Sequence, residues 1–358
     1  MLIYNFSICV LKIICKNTFR NHYIICEIFK KGGDALEKGI SVDFFVSTMQ
    51  KIVQEDDCSI YKTSNDTGEG MITCYHVFPG INLLYNDFHM ENGFNQNKLP
   101  KANVIEINHC REGRFECEFK NGDCTYLGSG DISVTMLTNE TKSTSFPLSH
   151  FHGISITINL PEAVEAIEKI SESLGGIPID IYEIQERMCK KDRCMVIRGQ
   201  QSIEHIFSEL YTAPAELIQG YFKLKVIELL MFLSSLKEKD YNEEHRYFYR
   251  NQVQTVKAIR NYMAEHIQEH IPLDELSKKF NISLTSMKTC FKGVYGTSVY
   301  AYMKDYRIHS AALLLKQTND SITEIANKIG YENPSKFSEA FKKNMGILPS
   351  EYRKSLSE

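Results

Sequence analysis

The spacing of apolar residues changes at Pro161, and this change divides the chain into a strand-rich part and a helical part. Before Pro161, apolar and polar residues alternate in short runs at residues 104–108, 114–119, 124–127, 132–136 and 153–158. Alternation with a period of two predicts β-strands. Several strands at this spacing predict a small antiparallel barrel or a jelly roll.

Two of these strands are expected to form a tight hairpin. Asn121 and Gly122 lie between the runs at 114–119 and 124–127. Asn-Gly between alternating runs favours a type I′ turn, in which both turn residues have positive φ. The sequence therefore predicts a turn of this type.

After Pro161 the apolar residues follow a helical period, which predicts helices over residues 161–174, 202–211 and 215–236. The third helix is unusually apolar, so we expect it to be buried either in its own domain or against a second copy of the chain. Residues 237–252 begin with a charged run that lacks this period, and they are predicted to link two domains at 49–236 and 253–354. The predicted fold class is α+β.

Residues 1–48 show neither a clear helical nor a clear strand period. They form either an extra element packed on the first domain or a segment upstream of a true translation start near Met49. We favour the second alternative because of the missing period. No positive charge precedes the apolar run at the N-terminus, so an export signal is not expected.

The C-terminal hundred residues contain an internal repeat. Residues 276–296 match residues 325–346, and each copy is predicted to form two helices joined by a short turn. Ser283 and Ser321 are expected to cap helices, and Pro334 is expected to begin one. One long helix over residues 298–318 joins the copies. Two helices at a steep angle form a helix-turn-helix, whose second helix can enter the major groove of DNA.

Charge is distributed unevenly between the two parts. Residues 251–358 contain 15 Lys and Arg against 11 Asp and Glu, a net charge of +4, although the whole chain carries −4. A basic C-terminal part indicates a surface for a polyanion. The 43% hydrophobic residues exclude a disordered chain, and no apolar run is long enough for a membrane span. Eleven cysteines, without dense pairing, favour a reducing compartment, which indicates the cytoplasm.

The C-terminal repeat resembles the DNA-binding domain of the AraC/XylS family of bacterial transcription regulators. The resemblance covers residues 253–354 and is carried by Arg307 and by the motifs Ser321-Ile322, Glu324-Ile325-Ala326, Gly330-Tyr331, Ala340-Phe341-Lys342, Gly346, Pro349 and Tyr352-Arg353. It implies two helix-turn-helix units, joined by one helix, that read adjacent major-groove segments of double-stranded DNA. It further implies a regulator that works with RNA polymerase and is no enzyme.

The resemblance also assigns DNA contacts by position. It implies base-reading roles for Thr285, Lys288, Thr289, Ser335, Lys336 and Glu339. It implies phosphate contacts for Ser283, Lys292, Asn333 and Lys342. Glu339 departs from the basic residue often found there: a carboxylate can accept a hydrogen bond from cytosine N4, but it repels phosphate.

Three segments of the first domain, at residues 78–80, 109–114 and 146–150, resemble the branch of the family that includes siderophore-responsive regulators such as the pyochelin regulator. The similarity implies a β-rich domain that senses a small-molecule effector. Arg111 and Arg114 could clamp a carboxylate or catecholate of that effector. They could equally be solvated charges at the end of a strand.

His150 and His152 form an H-x-H pair, which in a metal cupin places two imidazoles on one side of a strand. A cupin site also needs a carboxylate and a third histidine, and the sequence alone identifies neither. We therefore expect a hydrogen-bonded structural role, with no metal and no other cofactor. The alternative function is a cupin-like metal-binding enzyme or sensor with an appended DNA-binding domain.

Other chemistry finds little support in the sequence. Cys110, Cys117 and Cys124 recur at seven-residue intervals, which is not a zinc spacing, so we expect them to be buried as small apolar side chains. The chain has no P-loop, dinucleotide fingerprint or nucleophile motif.

Overall fold

The computed structural model describes residues 49–55, 58–95, 103–137, 141–189, 194–237 and 248–355. The chain divides into two compact units, with the division just before Phe248. The hypothesis about residues 1–48 concerns residues outside the described part, as does most of the predicted linker.

The N-terminal unit is built mainly from antiparallel strands. The strands are β1 (Gln50–Glu55), β2 (Cys58–Asn65), β3 (Gly68–Phe78), β4 (Ile81–His89), β5 (Asn92–Asn95), β6 (Val104–Gly113), β7 (Phe115–Phe119), β8 (Asp123–Leu127), β9 (Ile132–Met136), β10 (Thr141–Ser145), β11 (Phe151–Asn159) and β12 (Met195–Ile197). The larger sheet has the order β1-β2-β3-β4-β11-β6-β9-β12, and the smaller one contains β8-β7-β10-β5. The five alternating runs of the sequence lie in β6, β7, β8, β9 and β11, so these strand predictions are confirmed.

The larger sheet has an apolar core on each face because successive side chains of a strand point to opposite sides. Tyr85 and Ile154 belong to one core, which also includes residues of the helices described below. Leu84 and Phe151 belong to the other core, together with Cys117 of the smaller sheet. The N-terminal unit therefore buries both faces of its central strands.

The hairpin between β7 and β8 forms, but the predicted type I′ turn is wrong. Gly122 has a φ of +88°, whereas Asn121 keeps a negative φ. The N–H of Gly122 donates to the carbonyl oxygen of Phe119, and the side chain of Asn121 accepts a hydrogen bond from the N–H of Asp123. A single left-handed glycine after a turn is the pattern of a three-residue loop. The asparagine is thus stabilised by its side-chain hydrogen bond, without a positive φ.

Four α-helices of the N-terminal unit are described: α1 (Leu160–Ser173), α2 (Ile181–Met188), α3 (Gln201–Leu210) and α4 (Ile218–Ser235). The helices expected at 161–174, 202–211 and 215–236 are α1, α3 and α4, and a short 3₁₀ turn (Ala215–Leu217) precedes α4. These three predictions are confirmed. Helix α2 was not predicted because eight residues are too few to display a helical period.

Most of the apolar surface of α4 is buried in its own unit. Phe222 packs its ring against those of Tyr75 and Tyr85, with centroids 4.9 and 5.9 Å away. Leu217, Leu224 and Met231 are instead exposed. Burial within the domain therefore accounts for the apolar character of α4 except along this one stripe.

The C-terminal unit begins with a two-residue strand, β13 (Phe248–Tyr249), and is otherwise helical. Its helices are α5 (Arg250–Glu265), α6 (Leu273–Lys279), α7 (Leu284–Tyr295), α8 (Val299–Gln317), α9 (Ile322–Lys328), α10 (Pro334–Met345) and α11 (Pro349–Ser355). Ser283 and Ser321 are N-caps as predicted, and Pro334 is the first residue of α10. Ser321 forms a complete capping box with Glu324. The sequence thus predicts the helix starts in this unit closely.

The helix pairs α6–α7 and α9–α10 both bury their apolar sides. Met287, Cys290 and Phe291 of α7 are buried, as are Phe337 and Phe341 of α10. The last two form one core with Ile325 and Ala326 of α9 and with residues of α8, such as Ile308. Helix α8 lies between the pairs in the chain and contributes to this core.

Two further expectations concern burial and membranes. Cys110, Cys117 and Cys124 are buried free thiols, as predicted, and burial raises the pKa of Cys110 to about 12. Within the described ranges, no helix has both the length and the apolar character required to cross a bilayer.

Candidate functional site

The outer side of α7 is the first candidate DNA-contacting surface. Its N-cap, Ser283, accepts a hydrogen bond through Oγ from the N–H of Ser286 at 3.2 Å. Lys288 and Lys292 are both exposed and lie one turn apart on the same helical face. Of the other residues assigned to DNA in this helix, Thr285 is exposed and Thr289 is half-buried.

The outer side of α10 repeats this arrangement. The side chain of Asn333 accepts hydrogen bonds from the N–H groups of Ser335 and Lys336, at 2.9 and 3.2 Å. Every residue of this pair that the resemblance assigns to DNA is exposed: Asn333, Ser335, Lys336, Glu339 and Lys342. The two surfaces therefore present hydroxyl, amide and ammonium groups, together with the carboxylate of Glu339, outside a buried apolar stripe.

The two N-caps suit phosphate binding because neither carries a charge. The N-terminus of a helix attracts anions through its free N–H groups and its dipole. An aspartate at the cap would place a negative charge in the position of a phosphate, whereas Ser283 and Asn333 cap their helices as neutral groups. Lys292 and Lys342 follow in the last turns of the same helices.

Helix α8 is tied to both helix pairs. Arg307, which is buried, donates hydrogen bonds to the carbonyl oxygens of Ile267 and Glu269, just before α6. At its other side, Asp305 accepts a hydrogen bond from the side chain of Asn344 in α10 at 3.1 Å. These contacts fix the connecting helix against the elements on both of its sides.

The N-terminal unit contains a cavity of about 750 Å³ with a polar lining. Its walls include Arg111, Tyr211 and Glu204, and the complete lining consists of His109, Arg111, Ser129, Gly130, Gly199, Gln200, Gln201, Glu204, Ser208, Tyr211 and Thr212. The guanidinium of Arg111 lies 4.5 Å from the centre of the Tyr211 ring. A cavity of this size can hold a small ligand.

The cavity places an imidazole, that of His109, close to the guanidinium of Arg111. His109 stacks on Phe207, with ring centroids 4.1 Å apart, and its Nδ1 lies 3.2 Å from the hydroxyl of Tyr211. Burial, reinforced by the charge of Arg111, lowers the pKa of His109 to about 4. At neutral pH, His109 is therefore a hydrogen-bonding group without charge.

Arg111 and Arg114 lie in different surroundings. One interpretation of the sequence is that they hold a carboxylate or catecholate of the effector together. Arg111 lines the cavity, whereas Arg114 is not among its lining residues. The Arg114 guanidinium lies 5.9 Å from the centre of the Tyr126 ring. Gly113, which lies between them, has a φ of +85° and is the last residue of β6. Tyr211 and Glu204 come from α3 and its end, and no sequence signal connects them to Arg111.

His152 belongs to a cluster of polar side chains that the sequence did not reveal. Its Nε2 lies 3.0 Å from Oδ1 of Asp87 and 3.4 Å from Nε2 of His89. Asp87 and His89 are two residues apart in β4, and Asp87 lies directly opposite His152 in β11. The sequence alone identifies no carboxylate or third histidine for His152, and the structure provides both. Its partners come from a strand more than sixty residues away in sequence.

His150 does not join this cluster. Its Nδ1 lies 3.0 Å from the carbonyl oxygen of Leu148. Burial outweighs this hydrogen bond and lowers the pKa of His150 to about 4. The two members of the H-x-H pair therefore differ in position: strand β11 begins at Phe151, so only His152 lies within it, although the two rings pack edge to face with centroids 6.0 Å apart.

A family model described as "Helix-turn-helix domain" matches residues 276–355. This match runs from within α6 to the end of α11, and it includes every residue assigned to DNA. The site described from the helices upward is therefore the part of the chain that this model recognises.

Curated relatives extend the similarity beyond this domain. The lactose operon transcription activator of Staphylococcus xylosus is 32% identical over 269 residues, which are 73% of this chain and 86% of that protein. The transcriptional regulator ExsA of Pseudomonas aeruginosa is 31% identical over 103 residues, which are 29% of this chain and 37% of ExsA. The chain thus spans little more than a third of the length of ExsA, but most of the lactose operon activator.

Among solved structures, the C-terminal domain of AraT, a response regulator from Geobacillus stearothermophilus, is 32% identical. The similarity covers 28% of this chain and 84% of that domain, with a TM-score of 0.27.

Proposed function

Because this chain belongs to the AraC/XylS family of helix-turn-helix transcription regulators, we propose that it binds duplex DNA through α7 and α10 under the control of a small-molecule effector. The observation that carries the proposal is the duplicated, exposed polar side of these two helices, each capped by a neutral residue. Each helix pair acts as one helix-turn-helix unit. The relatives are named as regulators of transcription, which supports a role without catalysis.

The two helices divide their contacts between bases and backbone. Thr285, Lys288 and Thr289 of α7 read base edges, as do Ser335, Lys336 and Glu339 of α10. Hydroxyl and ammonium groups can pair with these edges in the major groove. The phosphate contacts come from Ser283, Lys292, Asn333 and Lys342, at the two ends of the recognition helices.

DNA binding is tested by selecting ligands for the full-length protein from a random duplex pool. We expect the selected sites to contain two short conserved segments about one helical turn apart, one for each unit. The replacement of both Lys288 and Lys336 by alanine should abolish the enrichment of this sequence. A pool that stays random after selection with the unmodified protein would reject sequence-specific recognition.

The effector site is the cavity lined by Arg111, and a carbohydrate is the proposed ligand class. The lining carries hydroxyl, amide, carboxylate and guanidinium groups and one aromatic ring, the groups that pair with a polyhydroxylated ligand. A relative whose similarity extends over 73% of this chain is named as a lactose operon activator. Arg111 makes the direct ligand contact, and Arg114 supports the loop that follows β6. The N-terminal unit corresponds to a cupin-like jelly roll.

The resemblance to siderophore-responsive regulators offers a different ligand, a catecholate or carboxylate held by Arg111. Thermal shifts of the full-length protein with a panel of mono- and disaccharides, and separately with dihydroxybenzoate, distinguish the two. We expect a saccharide to raise the melting temperature and Arg111→Ala to remove this shift, while Lys169→Ala, an exposed change in α1, keeps it. A shift with dihydroxybenzoate alone would replace the carbohydrate by the siderophore class.

The protein acts as a homodimer in the cytoplasm, where it recruits RNA polymerase as an activator. The dimer contact is the exposed stripe of Leu217, Leu224 and Met231 on α4 and the turn before it. Their seven-residue spacing is that of a coiled-coil seam. Gly220 lies near this stripe, and no heavy atom lies within 4 Å of the position that a Cβ would take there. A second helix can therefore approach closely.

A further inference from the structure

We propose that Asp87, His89 and His152 bind one divalent transition-metal ion in the N-terminal unit. The inference rests on the positions of three donor atoms and is independent of the assignment to DNA binding. Among the residues that the structure describes, these form the one group of three His, Cys, Asp or Glu side chains with metal-ligating atoms within 4.8 Å of one another.

The distances between the donor atoms match those around a metal ion. Oδ1 of Asp87 lies 2.9 Å from Nε2 of His89 and 3.0 Å from Nε2 of His152, and the two nitrogens are 3.4 Å apart. Ligands bound to one ion at about 2.0–2.2 Å are separated by about 3 Å in octahedral geometry and about 3.4 Å in tetrahedral geometry. One ion can therefore contact all three atoms without a large rearrangement.

The hydrogen bonding of these three donor atoms is compatible with a bound metal ion. Oδ1 of Asp87 is buried and has no hydrogen-bond partner of acceptable geometry among the described residues, although both imidazoles are near it. The two Nε2 atoms lie 3.4 Å apart, close enough for one ion to contact both. Imidazole nitrogens and a carboxylate oxygen, side by side, are donor atoms that a metal ion uses.

The strand register makes the group rigid. Asp87 and His89 lie on the same face of β4, and His152 is the direct neighbour of Asp87 across the β4–β11 pair. They continue the face of the sheet that buries Tyr85 and Ile154. His152 is almost completely buried, whereas the Asp87 side chain is 18% exposed, so the group can be reached from solvent.

Glu112 provides the outer contact expected of such a site. It lies opposite His152 on the other neighbouring strand, β6. Its Oε2 is 3.7 Å from Nδ1 of His152, and its Oε1 is 3.9 Å from Nε of Arg111, which lines the cavity. A carboxylate behind a ligating histidine orients the ring and raises its basicity. Glu112 therefore also connects the metal ligands to the cavity.

The ligand set defines the class of ion. Two imidazole nitrogens and one carboxylate oxygen bind zinc, iron and neighbouring first-row ions, and they leave further coordination positions for water or a ligand. Calcium and magnesium prefer sites made entirely of oxygen atoms. A zinc or cobalt ion is thus the appropriate probe.

The test is metal binding by the full-length protein after treatment with a chelator and dialysis. The bound Zn²⁺ is counted by elemental analysis after equilibrium dialysis, and Co²⁺ is titrated by absorption spectroscopy. We expect the wild type to bind one equivalent more than the double variant His89→Gln/His152→Gln. The extra Co²⁺ should give ligand-field bands without a thiolate charge-transfer band.

Two single variants sharpen the test. His76→Gln, which removes an exposed histidine of β3, should bind as much metal as the wild type. Glu112→Gln should retain the site but weaken it about 10–100-fold. Circular dichroism of each variant establishes that it folds.

The proposal is overturned if the wild type and the double variant bind equal amounts of Zn²⁺ with equal affinity. It is also overturned, without reference to any variant, if Co²⁺ added to the wild type yields only the spectrum of the hydrated or thiolate-bound ion. Either result leaves the cluster as a hydrogen-bonded group and does not affect DNA binding.

Discussion

Arg307 donates a hydrogen bond of 2.7 Å from Nη2 to the carbonyl oxygen of Glu269, and so ties helix α8 to the segment that leads into the first helix pair. Its Nε donates to the carbonyl oxygen of Ile267 at 3.0 Å. Both acceptors are backbone carbonyl oxygens of the segment between α5 and α6. The guanidinium therefore satisfies acceptors that would otherwise bind water. Arg307 therefore holds the C-terminal unit together and makes no direct contribution to the outer surface of α7 or α10.

Replacement of Arg307 by lysine should destabilise the C-terminal unit by about 2 kcal/mol, because an ammonium group cannot reproduce two diverging hydrogen bonds from one planar fork. Hydrogen exchange of α8 in the full-length protein, followed by mass spectrometry, should be accelerated about 30-fold. Lys316→Ala, an exposed change in the last turn of the same helix, is the control and should leave exchange unchanged. Unchanged exchange in Arg307→Lys would show that the contacts with Ile267 and Glu269 contribute little.

The N-terminal unit should lose stability in mild acid because of His109. Its pKa is about 4 in the folded protein and about 6.5 when unfolded, so the unfolded chain binds more protons between these values. The stabilisation is fully present above pH 6.5 and decreases as the pH falls towards 4. At pH 5 the loss from this residue is about 2 kcal/mol.

Urea unfolding of the full-length protein at pH 7 and pH 5 measures this effect. The decrease in stability should be about 2 kcal/mol smaller in His109→Gln than in the wild type. Some decrease should remain, since the pKa of His150 is also lowered to about 4 by burial. Equal decreases in both proteins would mean that the pKa of His109 in the folded protein is close to its value in the unfolded chain.

The exposed stripe on α4 should determine the oligomeric state. Leu224→Glu places a charge at its centre, where 70% of the leucine is exposed, so the monomer should fold normally. Sedimentation at micromolar concentration should show a dimer for the wild type and a monomer for this variant. Lys223→Glu, one residue away and also exposed, should remain dimeric. A monomeric wild type, with and without DNA, would reject the proposed contact.

The sequence predicts the C-terminal unit well because its signals are local. The N-caps Ser283 and Ser321 and the initial Pro334 specify helix starts through contacts within three residues. The metal-ligating group was missed because it depends on the pairing of β4 with β11, which no local pattern records. The same holds for the cavity, since the strand of Arg111 and the helix that ends near Tyr211 are far apart in the chain. Asn121 shows that a strong local signal can also mislead. The Asn-Gly pair correctly predicted the hairpin between β7 and β8, but it predicted the wrong type of turn.

The central claim is that α7 and α10 read DNA, and it makes different predictions for two pairs of lysines. Lys288 and Lys336 should contact base edges, so replacement by alanine should cost about 1–3 kcal/mol on the selected site and much less on random DNA. Lys292 and Lys342 should contact phosphates. Their replacement should weaken binding to all sequences about equally. It should also reduce the slope of log affinity against log salt concentration by about one unit.

The most direct measurement is the affinity of the wild type and the four single lysine variants for the selected site and for scrambled DNA over a range of salt concentrations. The account predicts that Lys288→Ala and Lys336→Ala lose discrimination between the two DNAs. Lys292→Ala and Lys342→Ala should keep this discrimination, and each should show a salt dependence smaller by about one unit of slope. If Lys292→Ala relaxed the sequence preference while Lys288→Ala did not, the placement of α7 in the major groove would be contradicted.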